Sequence, residues 1–534
     1  MYKVAFLSFF LLIVFGLSAQ YISGVTIPDT TNPRIDDKTW QLAQSISEAD
    51  LREHLFLLAS DSLGGRELGT EGNLKAADYI AGQFMDMGLP PAGPKGYFQE
   101  VAFTWLYWDE ISINIHGQRF KQLWDFIAFP GKNRSSEIST DKVLFLGYGI
   151  DDESYSDYDK IETEDKVILI YDKEPIDKDS NYLLTKSSNP SSWSDSLQLK
   201  LEAAAKHGVR HVLIISENIK KMVNKHRNQL LGPKVILGKV DGSRKAPVDY
   251  TFISSTMAKK IIGEDIKKVI RSRKCIVKKG KAKPVEIETD IEIVQQHKSR
   301  FVDGVNVAAI SEGTSDKDEY ILISAHYDHI GKKGKDINNG ADDNASGTST
   351  VLEIAEAFAE ARKQGLTHSR NVMFLLVTGE EKGLLGSQYY VENPLAPINE
   401  SIVNINIDMV GRIHEKYKDN PEYIYVIGSD RLSTELHHVN ELVNQKYARL
   451  TLDYQYNDKS DPNRFYYRSD HYNFARKGIP AIFFFNGTHE DYHRPTDTAE
   501  KIQFEKMSLV AQHIFTLAWE IATREASITV DAQP

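Results

Sequence analysis

The run 320–347, YILISAHYDHIGKKGKDINNGADDNASG, decides the fold. It opens on an apolar stretch without alternation, the pattern of a strand buried on both faces. Charge then arrives abruptly, with His326, Tyr327, Asp328 and His329 placed where the strand runs out. The segment NNGADDNASG has loop composition and feeds a helical stretch from Thr348 to Arg362. Strand, polar loop and helix in succession form the repeating unit of a parallel sheet covered by helices.

The same order recurs downstream. NVMFLLVTGEE (371–381), SIVNINIDMVG (401–411), EYIYVIGSD (422–430) and IPAIFFFNG (479–487) read as strands, most of them separated by helical stretches. The expected class is α/β, with a mainly parallel central sheet flanked by helices. In such sheets binding sites form beyond the carboxyl ends of the strands. Acidic and imidazole groups lie at those ends: Glu380 and Glu381 after the second strand, Asp408 after the third, and His493 in NGTHEDYHRPTDT (486–498) after the last.

Upstream, Leu51, Leu55, Leu57 and Leu58 recur at helical spacing from Ser47. The turn-rich SDSLGGRELGTEGN (60–73) precedes a second helix, Leu74 to Met87, which Gly88 stops. The style changes near Lys142. KVLFLGYGI (142–150), KVILIYDKE (166–174) and VRHVLIIS (209–216) are short apolar strands, and Leu197 to Lys206 is helical. They suggest a small β-rich domain at 131–299, inserted into a larger one formed by 40–130 and 300–530. The basic run Lys267 to Lys283 reads as a solvated face.

Composition narrows the class. The chain has 534 residues and a net charge of −11. That length exceeds one compact core. The acidic balance argues against a nucleic-acid binder, which carries a basic footprint. Lys3, the apolar run Val4 to Leu17, and the exit Ser18-Ala19 have the form of a secretory signal, expected at 1–19. An exported protein, periplasmic or extracellular, with no stable membrane span after signal removal, is the expectation. Cys275 is the sole cysteine, so no intrachain disulfide can form and any metal must be held by His, Asp and Glu.

HYDH, GADDNASG, TGEEKGLLGS, NIDMVG, SDHYNF and YHRPTDT, in that order over 301–510, resemble the successive motifs of the di-zinc exopeptidases that include secreted bacterial aminopeptidases, metallopeptidase family twenty-eight. Segment 58–80 resembles that family's N-terminal helix region, and the inserted part resembles a protease-associated domain in pattern and position. The resemblance implies a zinc-exopeptidase, phosphorylase/hydrolase-like fold, two Zn2+ per chain, and peptide or protein substrates. It implies that His326 and Asp408 bind one zinc, Glu381 and His493 the other, and that Asp343 bridges them. It implies Glu380 as general base and then acid, Asp328 as the group orienting His326, and Tyr492 as a donor to the developing oxyanion. The chemistry needs such parts: paired metal ions about 3.5–4 Å apart polarise a carbonyl and generate hydroxide at neutral pH, and a carboxylate off the metals must carry the proton.

Isolated histidines are ordinarily surface groups or satisfied hydrogen-bond partners. His329, His368, His437, His438 and His489 are read so, His471 as part of a wall, and Asp470 as a supporting partner or a cap. Asp342 can be a turn residue facing water. The implied activity is release of N-terminal amino acids. A glutaminyl cyclase, a carboxypeptidase and a receptor-like module on the same fold are the alternatives; the first works with one zinc, and the last loses metal ligands.

Overall fold

The computed structural model describes residues 37–129, 132–239, 247–281, 283–315 and 318–532. The expected signal at 1–19 lies outside them. Among the described residues, no helix is long and apolar enough to cross a membrane. The chain forms two compact units, Met1–Val101 with Asp303–Pro534, and Ala102–Val302. The second takes in 102–130 as well as 131–299.

The first unit is an α/β sandwich. Its sheet runs in the order Thr451–Asp453, Tyr423–Ile427, Ala481–Phe485, Ser401–Ile407, Tyr320–His326, Asn371–Val377, and then residues 303–311. The four strands at 481, 401, 320 and 371 are mutually parallel. They are buried almost throughout, which is why their sequences show no alternation. Ile321, Ile323 and Ala325 face a core built with the helices Glu48–Leu58, Gly347–Lys363 and Phe504–Thr523. Leu322, Met373 and Leu375 face the opposite layer with Tyr390, Val391 and Phe474.

Helix ends are set by local chemistry. Ser47 accepts from the Asp50 amide and Thr70 from the Asn73 amide, capping Glu48–Leu58 and Glu71–Asp86. The sheet also has a switch of direction. The chain leaves Tyr320–His326 towards 371 on one side and returns to 401 on the other. The crevice between the carboxyl ends of 320–326 and 401–407 is where such folds place ligands.

Within the second unit the strands run in the order 285–302, Ser136–Gly147, Val167–Tyr171, His211–Ser216, Asp249–Ser254 and Phe126–Ile127. The strands at 136, 167, 211 and 249 are parallel. One face packs Ile168, Ile170, Val212 and Ile214, the other Val167, Leu169, Leu213 and Ile215. Helices Leu197–Lys206, Ile219–Leu231, Ser255–Ile262 and Ile266–Lys279 accompany it, so the unit is α/β rather than simply β-rich.

Candidate metal centre

Four loops at the carboxyl ends of the parallel strands in the first unit meet beside that crevice. His326 closes the first strand, and its Nε2 lies 3.4 Å from Asp408 Oδ1, just past the strand Ser401–Ile407. The same Nε2 lies 3.4 Å from Asp343 Oδ1. The other oxygen of Asp343 lies 3.0 Å from His493 Nε2, which in turn lies 3.3 Å from Glu381 Oε2. Asp343 thus presents one carboxylate oxygen to each of two groups. Glu380 Oε2 stands 3.9 Å from His326 Nε2, inside the ring of donors. All five side chains singled out as ligands are therefore brought together, with Glu380 among them.

The loop carrying Asp343 is fixed from behind. The Asp342 and Asp343 amides donate to the Asp497 carboxylate at 3.1–3.2 Å. The peptide bond between Asp343 and Asn344 is cis. Asp342 does not face water: it is buried, accepting from the Gly411 amide, from Asn486 Nδ2 and, at 3.1 Å, standing beside His489 Nε2. Arg66 is buried too, and its guanidinium donates to the carbonyls of Leu58, Tyr327, Asn339 and Gly340. One cation from the turn-rich N-terminal segment so ties together the backbones that flank His326 and Asp343. Sequence reading missed it, because nothing local marks a lone arginine as buried.

Asp328 lies behind His326, but its closest contact to the ring is through the main chain. His326 Nδ1 lies 3.1 Å from the Asp328 carbonyl oxygen and 3.8 Å from its carboxylate Oδ1, while that carboxylate accepts from the Glu380 amide at 3.1 Å. Asp408 has a second partner, Ser469 Oγ, at 2.6 Å. Asp470 is buried and accepts from Ser387 Oγ, and burial pushes its carboxyl up to about 7. The ring of His471 stacks on Phe483 outside the cluster. Tyr492 stacks on His493 with ring centroids 3.9 Å apart. It also borders a cavity of about 40 Å³, with Met409, Phe465, Phe483 and Phe485 as apolar walls and Asp343, Glu380 and Asp408 at the acidic end.

His368 and His437 have hydrogen-bond partners, and His438 is exposed. His329 departs from that pattern. It is fully buried, and its Nδ1 lies 2.7 Å from Glu381 Oε1 and 3.8 Å from Asp343 Oδ2. Its only sequence signal was its place in HYDH.

Cations are what this arrangement lacks. Asp328, Asp343, Glu380, Glu381, Asp408 and Asp470 gather around three imidazoles and Arg66. Burial lowers the affinity of His493 for its proton, but Asp343 and Glu381 outweigh this and raise its pKa to about 10. Burial alone would raise Glu381; His329 and His493 instead hold it well below its usual range. Burial drives Glu380 well up. Buried carboxylates at such density require paired charge or metal. Two donor groups answer to that need, His329/Asp343/Glu381/His493 and His326/Glu380/Asp408, each with ligand atoms within 4.8 Å of one another. Both offer only nitrogen and oxygen, a donor set that fits zinc.

Residues 306–518 match the family model described as Peptidase family M28. That region is a peptidase family M28 domain. It includes every ligand candidate above, whereas Arg66 lies outside it. Among curated proteins, the chain is similar to a protein named probable leucine aminopeptidase from Trichophyton verrucosum (strain HKI 0517), 30% identical over 224 residues, 41% of this chain and 57% of that protein. It is also similar to aminopeptidase YwaD from Bacillus subtilis (strain 168), 28% identical over 214 residues, 39% of this chain and 42% of that protein. The chain spans about half the length of the curated relatives it matches. Among solved structures, an aminopeptidase from Aneurinibacillus sp. strain AM-1 has the same fold, with TM-score 0.53 and 20% identity over 93% of this chain and 98% of that one.

Proposed function

We propose that the M28 domain is a zinc aminopeptidase with two metal ions, acting on peptides with a free N-terminus. One observation carries the reading: the two oxygens of Asp343 face His326 and His493 separately, at 3.4 and 3.0 Å. His326 and Asp408 would hold one zinc, Glu381 and His493 the other, and Asp343 both. Two zinc ions there would supply electrophilic assistance to the scissile carbonyl and acidify the attacking water. Glu380, kept by Asp328 through its amide, takes the proton of that water and delivers it to the leaving amine. Tyr492, stacked on His493, turns its hydroxyl toward the oxygen on which charge develops. The substrate's first side chain faces Met409, Phe465, Phe483 and Phe485, and this favours apolar residues such as leucine. A complete set of donors for two ions supports hydrolysis over cyclisation of N-terminal glutamine. Export to the periplasm or medium belongs to this reading and rests on the apolar run after Lys3.

The test is a comparison of free and N-acetylated forms of one leucine-led peptide, with zinc present. The reading expects release of leucine from the free form alone. Cleavage of the acetylated peptide from its C-terminus, or ring closure of a glutamine-led peptide without bond cleavage, would replace it.

A further inference from the structure

The second unit holds a larger hollow than the M28 domain's cavity. It is a cleft of about 830 Å³ at the carboxyl ends of the parallel strands Val167–Tyr171 and His211–Ser216. Its sides are the helices Ile219–Leu231 and Ile266–Lys279. The second helix buries Val269, Ser272 and Ile276 against its own unit. It therefore presents Ile270, Arg273, Lys274, Val277 and Lys278 to the cleft, at helical spacing. The first presents Lys221 and Lys225, one turn apart.

The charge of the lining runs against that of the whole chain. Six cations (with Lys173, itself 3.5 Å from Asp195) face three acids, Asp172, Glu174 and Glu217, a balance of 6 − 3 = +3 in a chain whose net charge is −11. Glu174 is already engaged, accepting from Leu184, Ser191 and Ser194. A further cation stands behind the floor: Lys200 is buried and donates to the carbonyls of Tyr148, Tyr171 and Lys173. The floor itself is apolar and aromatic. Arg273 lies 4.1 Å above the Tyr171 ring, and Ile176 and Ile270 are exposed at the rim.

We propose that this cleft binds an acidic peptide segment, its carboxylates on the two basic helices and its apolar side chains on the Tyr148/Tyr171 floor. Two features favour a peptide over a polyphosphate. The turns after the strands, DKEP (172–175) and ENIK (217–220), lack glycine and carry acids where a phosphate would need backbone amides. The cations are spread along two helices rather than gathered at one point, which suits charges spaced along a chain. Binding is read without turnover, so it stands apart from the peptidase reading.

The experiment is fluorescence anisotropy with the full-length protein and a labelled, N-acetylated repeat of Glu-Leu-Ser. The comparison peptide is the Lys-Leu-Ser repeat, and ATP is the competitor. The triple variant Lys221→Glu, Lys225→Glu, Lys274→Glu changes exposed positions only. A control triple, Lys363→Glu, Lys459→Glu, Lys477→Glu, changes net charge equally in the first unit. The acidic peptide should bind in a salt-dependent manner and weaken at least about tenfold in the cleft variant alone. Equal binding by both variants, preference for the basic peptide, no binding of the acidic one, or its full displacement by ATP would overturn the proposal.

Discussion

His329 Nδ1 stands 2.7 Å from Glu381 Oε1, while Oε2 of the same carboxylate faces His493 at 3.3 Å. The first is a close ion-pair approach without hydrogen-bond alignment, since His329 Nδ1 and Glu381 Oε1 are both buried with no hydrogen-bond partner among the described residues; the second is a spacing that two ligands of one ion would have. On the proposed reading His329 steadies Glu381 by this ion pair, while the other carboxylate oxygen would meet a metal ion. Partners of this kind typically contribute 10–100-fold to metal affinity or activity. His329→Ala should weaken one of two zinc ions by about that factor, as read by zinc competition against a chromogenic chelator. Two undiminished zinc affinities would show that the contact does nothing for the metal.

Glu380→Gln removes the proton carrier and leaves the other donors in place. Turnover of a leucine anilide should fall by about 10²–10⁴, with zinc content and melting temperature close to wild type. A variant that loses metal as well as rate would assign Glu380 to the ligand set instead.

Acid should destabilise the fold through buried histidines outside the two donor groups. His211 in the second unit and His513 in the first are buried, and burial pushes each pKa down to about 3, from 6.5. Both stay neutral in the folded chain, while the unfolded chain takes up protons below pH 6.5. Their stabilising contribution is complete above that value and is lost as pH falls towards 3. From pH 7 to pH 5 each accounts for about 2 kcal/mol. Urea unfolding of wild type and His513→Gln at both pH values should show the variant losing less by roughly that amount. Identical losses would mean that the imidazole is protonated in the native state.

The central strands were legible because burial on both faces leaves a run such as YILISA without alternation, and the charges that follow mark where each strand ends. Glu381 and Asp408 stand at such strand ends, but the ligand roles, and the choice of Asp343 over Asp342, came only from the resemblance to the exopeptidase motifs. What escaped depends on contacts distant in sequence. Arg66 reaches carbonyls more than 250 residues away, and no local pattern announces that. Asp328 was expected to orient His326 through its ring N–H; the atom of Asp328 nearest that nitrogen is its backbone carbonyl oxygen, which no side-chain pattern announces. In the second unit, residues 285–293 carried a readable signal: Val285, Ile287, Thr289, Ile291 and Ile293 alternate inward with Glu286, Glu288, Asp290 and Glu292. The lysine-rich stretch before it obscured that period.

Asp343 carries the account, since its two oxygens lie 3.4 and 3.0 Å from His326 and His493, one in each donor group. Zinc per chain, measured by mass spectrometry after dialysis against a weak chelator, tests it most directly. Two ions in wild type and at most one in Asp343→Ala, with the fold kept, is the expected result. Two ions retained by Asp343→Ala, or fewer than two in wild type under saturating zinc, would contradict it.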